Sequence, residues 1–176
     1  LSVPLKILTL CTGNAARSVM LGYMLTTLAE ANGEDWSVRT AGTHVAEGSA
    51  MSSRTRDALV RIPELADHHF GAHRGHQMTR DDARWADVIL ASEAAQVVFA
   101  RAQFTEATYT AVLFGQFLRE APLDTPFVDQ VFQVAMLEPD AAFDVDDPAG
   151  GDRAAYNECA ATLWEMAQVF ATLVAP

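Results

Sequence analysis

Short apolar runs of strand length alternate with stretches of helical periodicity along almost the whole chain, and this alternation leaves few folds open. Residues 5–10 and 87–91 are compact apolar runs, 36–40 alternates in the two-residue period of a strand, and 108–112 reads as a fourth strand. Between them, apolar residues recur every three or four positions over 16–31, 52–61 and 93–101, with a short helical piece at 114–119 and a long one at 152–173. Asn32-Gly33 and Pro63 supply stop signals, and Thr79 ahead of Asp81 and Asp82 supplies a start. Strands joined by helices cannot pair as hairpins. The expected fold is therefore α/β, a single-domain three-layer α/β/α arrangement around a central, mostly parallel four-stranded sheet.

At 176 residues the chain suits one domain, 1–176, in which 121–146 is the least regular stretch; it is read as a lid or an insertion, with a short helix near 128–136. The formal charge of −11, from 23 acidic and 12 basic side chains, excludes a counterion-displacing nucleic-acid surface. It also excludes long-range attraction of anionic substrates, so any phosphate site must work by local geometry. No run reaches the ~18 apolar residues of a membrane span, and the start lacks the basic segment and cleavage site of a signal peptide. A cytoplasmic location with no membrane partner is expected. Two cysteines, Cys11 and Cys159, make neither a disulfide framework nor a zinc site. His68-His69 lacks further ligands at metal spacing, and Trp36, Trp85 and Trp164 read as core anchors. Arg54, Arg56 and Arg61 read as a solvated helix face.

Chemistry concentrates in Cys11-Thr12-Gly13-Asn14-Ala15-Ala16-Arg17-Ser18, which lies between the first strand and the first helix. Backbone N–H groups at a helix N-terminus point at an anion. Gly13 and Asn14 tolerate left-handed backbone angles, so the loop can curl its amides into a nest. Arg17 adds a planar cationic fork for two phosphate oxygens. That positive field favours the thiolate of Cys11, and Ser18 is placed to donate to the sulfur. The loop is thus a phosphate-binding element with a nucleophile at its base. A thiolate attacking phosphorus needs a proton donor for the leaving oxygen. Asp147, stiffened by Pro148 and followed by Ala149-Gly150-Gly151, is the candidate; Asp144 and Asp146 take solvated or structural roles.

These residues resemble the low-molecular-weight protein tyrosine phosphatases, whose Cys-x-Gly-Asn-x-Cys-Arg-Ser loop lies near the N-terminus and whose Asp-Pro loop precedes the last helix. The likeness runs from Leu5 to Leu173 and includes Thr40-Ala41-Gly42-Thr43 and the stretch from Gly71 to Thr79. The resemblance implies a metal-independent phosphomonoester hydrolase that needs no cofactor and acts on a phosphorylated protein or small phosphomonoester, with a monomer favoured. By that likeness Cys11, Arg17 and Asp147 are catalytic. Thr12, Gly13, Asn14, Ala15, Ala16, Arg17 and Ser18 bind phosphate. Ser18 and Asn14 support the loop, with Thr40 and His73 as partners of Asn14.

The departures are specific. Ala16 stands where the family has a second loop cysteine, so no disulfide can form within the loop, and Val19 replaces a proline. Ala149 and Gly150 follow the Asp-Pro pair where aromatics often stand, so a pocket wall is expected from His44, Phe114 or the 121–146 segment. Protein arginine phosphatases and arsenate reductases of the same fold remain alternatives, as does a non-catalytic phosphate-binding domain. An arsenate reductase that relays a disulfide within the chain would need Cys159, expected to pack on the last helix, whereas one assisted by a thiol cofactor would need no second cysteine.

Overall fold

In the computed structural model, which describes residues 3–174, strand β1 (Leu5–Cys11) runs through the middle of a four-stranded sheet. Residues 1, 2, 175 and 176 of the expected domain lie outside the described residues. The other strands are β2 (Trp36–Gly42), β3 (Val88–Ala91) and β4 (Ala111–Leu113), in the order β2-β1-β3-β4. Every pairing is parallel, with Ile7 opposite Val38 and Val88 and Cys11 opposite Gly42.

Side-chain parity distributes β1 between two cores. Ile7 joins Val88, Leu90 and Val112 beneath α1 (Arg17–Asn32), α2 (Ser53–Leu59) and the later helices α5 (Phe114–Glu120), α6 (Phe127–Ala135) and α7 (Arg153–Val174). Leu8 and Leu10 join Ile89 and Ala91 beneath α3 (Arg80–Trp85) and α4 (Ala94–Gln103). Ile7, Leu8 and Leu10 are fully buried, each worth about 1.5–3 kcal/mol relative to exposure. Cys11 shares the parity of Ile7 and Thr9, which puts it on the α1 face at the carboxyl end of the strand. There the chain passes to β2 on one side and β3 lies on the other, the place where open α/β sheets leave a crevice.

The fourth strand starts later than the expected residue 108. Thr108 Oγ1 donates to the Thr105 carbonyl at 2.8 Å and Tyr109 is solvent-exposed, so local side-chain bonding holds this stretch as a turn and only Ala111–Leu113 pairs. The segment 121–146 contains the short helix expected near 128–136. Val131, Val134 and Ala135 of α6 are buried in the main core, packed toward β4 and α5. Its last residues, from Asp144 onward, lead to the Cys11 loop. Trp36 and Trp164 are half-buried at the edge of the core, and Trp85 carries the Arg39 guanidinium 4.1 Å above its ring.

Candidate active site

Asn14 holds the loop's shape. Its φ of 48° is the only positive value outside glycine among the described residues, so the left-handed turn expected at Gly13 or Asn14 falls on Asn14 alone. The residue is fully buried and its side chain is fully satisfied. Nδ2 donates to Ser18 Oγ (2.8 Å) and Thr40 Oγ1 (2.9 Å), while Oδ1 accepts from the His76 N–H (2.9 Å). His73 Nε2 donates to the Asn14 carbonyl at 2.8 Å, which fixes the imidazole tautomer; burial lowers the pKa of His73 and keeps the ring neutral. Ser18 Oγ, already an acceptor from Asn14, lies 3.0 Å from Cys11 Sγ and can give its own proton to the sulfur. Among the described residues, the N–H groups of 12–16 donate to no protein acceptor. They are free for an anion, and Gly13 has open space where a side chain would stand.

Close packing against β2 makes this possible. A Cβ at Gly42 would come within 2.5 Å of the Thr12 carbonyl oxygen and 2.9 Å of the Asn14 nitrogen, both backbone atoms that cannot swing away. Gly42→Ala is therefore expected to push the loop outward, costing about 1–3 kcal/mol in stability. The rise in Tm that phosphate gives the parent should shrink with it. An unchanged melting curve with full phosphate response would contradict this packing.

Arg17 is 2% exposed and joins the loop to two other segments. One nitrogen, NH1, donates to Glu93 Oε1 and to the Val145 carbonyl, both at 2.8 Å; NH2 lies 3.2 Å from Asp147 Oδ2. Burial pulls the Arg17 pKa down, but the Glu93 hydrogen bond and the charges of Asp147, Glu93 and Cys11 more than offset it, leaving the pKa raised. Glu93 is itself held by Gln96, whose Nε2 reaches Glu93 Oε2 (3.0 Å) and Thr12 Oγ1 (3.2 Å). The acid loop is anchored at both ends. Asp144 Oδ1 accepts from the Ala94 N–H at 2.7 Å, and Arg54 NH1 donates to the Gly151 carbonyl at 2.7 Å. Arg54, Arg56 and Arg61 are exposed, as expected of a solvated face, and Arg54 adds this strut from it.

Cys11, Gly13, Ala15, Ala16, Arg17 and Asp147 line one cavity of about 80 Å³, closed by Ala149 and Tyr156. Thr12 and Ser18 flank it through their bonds to Gln96 and Cys11, and Thr40 and His73 stand behind Asn14. The expected pocket wall is corrected: Phe114 is fully buried in the core against Phe170, and His44 packs toward Phe99. The wall is Tyr156, one turn into α7, a position indistinguishable in sequence from any core aromatic. Glu93 and Gln96 were likewise hidden, since an acid at a helix start reads as ordinary dipole compensation. Cys159 is 7% exposed, and burial pushes its thiol pKa up to about 12, which suits packing and not thiol relay. Among the described residues no group of three or more His, Cys, Asp or Glu is arranged to hold a metal ion, and no helix is long and apolar enough to cross a membrane.

Sheet order, loop position and cysteine together define a phosphatase fold, and the comparisons agree. The sequence profile of the low molecular weight phosphotyrosine protein phosphatases matches residues 6–130, and the chain belongs to that family. No curated protein matches the chain in sequence. Solved structures do. The low molecular weight protein tyrosine phosphatase of T. tengcongensis superimposes with a TM-score of 0.76 at 23% identity, covering 94% of this chain and 97% of that one. YwlE arginine phosphatase from Geobacillus stearothermophilus gives 0.73 at 25% identity, covering 96% and 92%. The tyrosine phosphatase Wzb from Escherichia coli K30, solved in complex with sulphate, gives 0.74 at 19% identity, covering 98% and 100%.

Proposed function

We propose that this chain hydrolyses phosphomonoesters without a metal, through a phosphocysteine on Cys11 with Asp147 as acid and then base, phosphotyrosine in proteins being the substrate. The observation that carries the reading is that Asp147, far in sequence from the loop of Cys11 and Arg17, lines one small cavity with both. In this reading the free loop amides and Arg17 hold the three equatorial phosphoryl oxygens, where charge sits in the transition state. The arriving dianion takes over Arg17 NH2 and frees the Asp147 carboxylate, which takes up a proton from solvent and passes it to the leaving oxygen. Glu93 keeps NH1 fixed meanwhile, and Ser18 steadies the sulfur as it attacks and later departs. Asp147 then takes a proton from the water that frees phosphate.

Alanines at 15, 16 and 149 leave Tyr156 as the aromatic ring among the cavity's lining residues. A phenol finds stacking on that side only, whereas a guanidino group needs none. Phosphoarginine is accordingly the second reading, also supported by the fold likeness to the Geobacillus arginine phosphatase. Hydrolysis of p-nitrophenyl phosphate in EDTA tests the reaction itself. Turnover is expected to survive the chelator and to be inhibited competitively by vanadate and phosphate. A folded protein that binds phosphate but turns over neither this ester nor a phosphoarginine peptide would support a binding domain instead.

A further inference from the structure

A second cavity, of about 430 Å³, shares Asp147 as a wall with the catalytic one. Its floor is apolar: Val145 and Cys159 are 5% and 7% exposed, and Met166 lies beside them. The Cys159 thiol, more than nine-tenths buried, faces this cavity and makes no hydrogen bond among the described residues. Around the floor stand four carboxylates, and no lysine, arginine or histidine lines the space. Asp147 is engaged by Arg17 and Asp144 by the Ala94 N–H. Asp146 and Glu158 are exposed and have no ion-pair partner among the described residues.

An apolar trough edged by unpaired carboxylates fits one kind of side chain: a long aliphatic stem with a cationic head. We propose that this cavity receives a lysine or arginine that flanks the phosphoresidue of a protein substrate. The inference rests on the phosphatase reading and narrows its substrate class. The shared Asp147 wall puts the occupant within a side chain's length of the phosphoryl group, which favours a neighbouring residue of the same chain over a free amine. The charge balance points the same way. A protein carrying −11 repels a phosphorylated segment, and basic flanking residues cancel that repulsion during encounter as well as in the bound state.

The test measures phosphotyrosine peptides as competitors of p-nitrophenyl phosphate, with Arg, Ala or Glu placed in turn at the three positions on either side of the phosphotyrosine. Competition reads binding whether or not a peptide is turned over. At one or two positions Arg is expected to lower the inhibition constant about five- to tenfold relative to Ala, and Glu to raise it. In Asp146→Asn/Glu158→Gln the Arg-to-Ala ratio should fall to about one, in about 0.5 M salt it should shrink in the parent, and in Glu158→Lys it should invert. A ratio near one at every position, or a preference that survives the double variant, overturns the subsite while leaving the phosphatase reading standing. If the parent hydrolyses neither p-nitrophenyl phosphate nor a phosphoarginine peptide, the phosphatase reading is overturned, and the subsite falls with it.

Discussion

Cys11→Ser is expected to lower turnover of p-nitrophenyl phosphate by about 10⁴- to 10⁶-fold, to the limit of detection, while phosphate still raises the melting temperature as in the parent. The two halves of that result come from different atoms. Rate requires a strong nucleophile at position 11, which a cysteine sulfur provides and a serine hydroxyl does not. Binding requires the N–H groups of 12–16 and the Arg17 guanidinium, and Cys11→Ser leaves both in place. The smaller oxygen also fits the space beside Ser18 Oγ, now 3.0 Å from the sulfur, so the loop has no reason to rearrange. Residual turnover of even a tenth would mean that another group attacks phosphorus. Loss of the phosphate response together with turnover would instead mean that the substitution had collapsed the nest.

The expected separation of binding from chemistry follows from features that the sequence shows unevenly. Strand–helix alternation and the parity of β1 place Cys11 at the carboxyl end of a central strand, and a loop of small residues ending in Arg-Ser then reads directly as a phosphate nest. The bonds that tie Asn14 to Thr40 and His73 are legible only through family resemblance, because they join residues 26 and 59 positions apart. The partners of Arg17 differ in kind. Asp147 stands out because Pro and Gly shape its loop, whereas Glu93 looks like any acid at a helix start until β3 and β1 are set side by side. Tyr156 and Phe114 show the same limit. Both are aromatic residues in helical patterns, one turned into the core and the other toward the site, and only tertiary packing decides which. The late start of β4 has a smaller cause, local threonine bonding that outcompetes strand pairing.

Asp147→Asn is expected to lower kcat about 10²- to 10³-fold with alkyl or unactivated phenyl phosphates, and less with p-nitrophenyl phosphate, whose leaving oxygen needs a proton least. The same variant should bind phosphate several-fold more tightly. Asp147 Oδ2 lies 3.2 Å from Arg17 NH2, so in the parent an incoming anion must displace a carboxylate from its cation; an uncharged amide offers no such competition. The geometry of the loop should persist, since the Asp147 Oδ1 that accepts from the Ala149 N–H at 3.1 Å has its counterpart in asparagine. Slower chemistry with a lower inhibition constant for phosphate is a pair of shifts that loss of structure cannot produce, because a disordered loop would weaken both. Steady-state kinetics across a series of leaving groups, with phosphate inhibition measured alongside, reads both quantities from one preparation. If kcat/KM, which reads the step in which the leaving oxygen departs, falls equally for every leaving group, Asp147 does not protonate that oxygen. The acid would then have to come from Asp146 or from solvent, and Asp147 would act only as the counterion that holds Arg17 until substrate arrives.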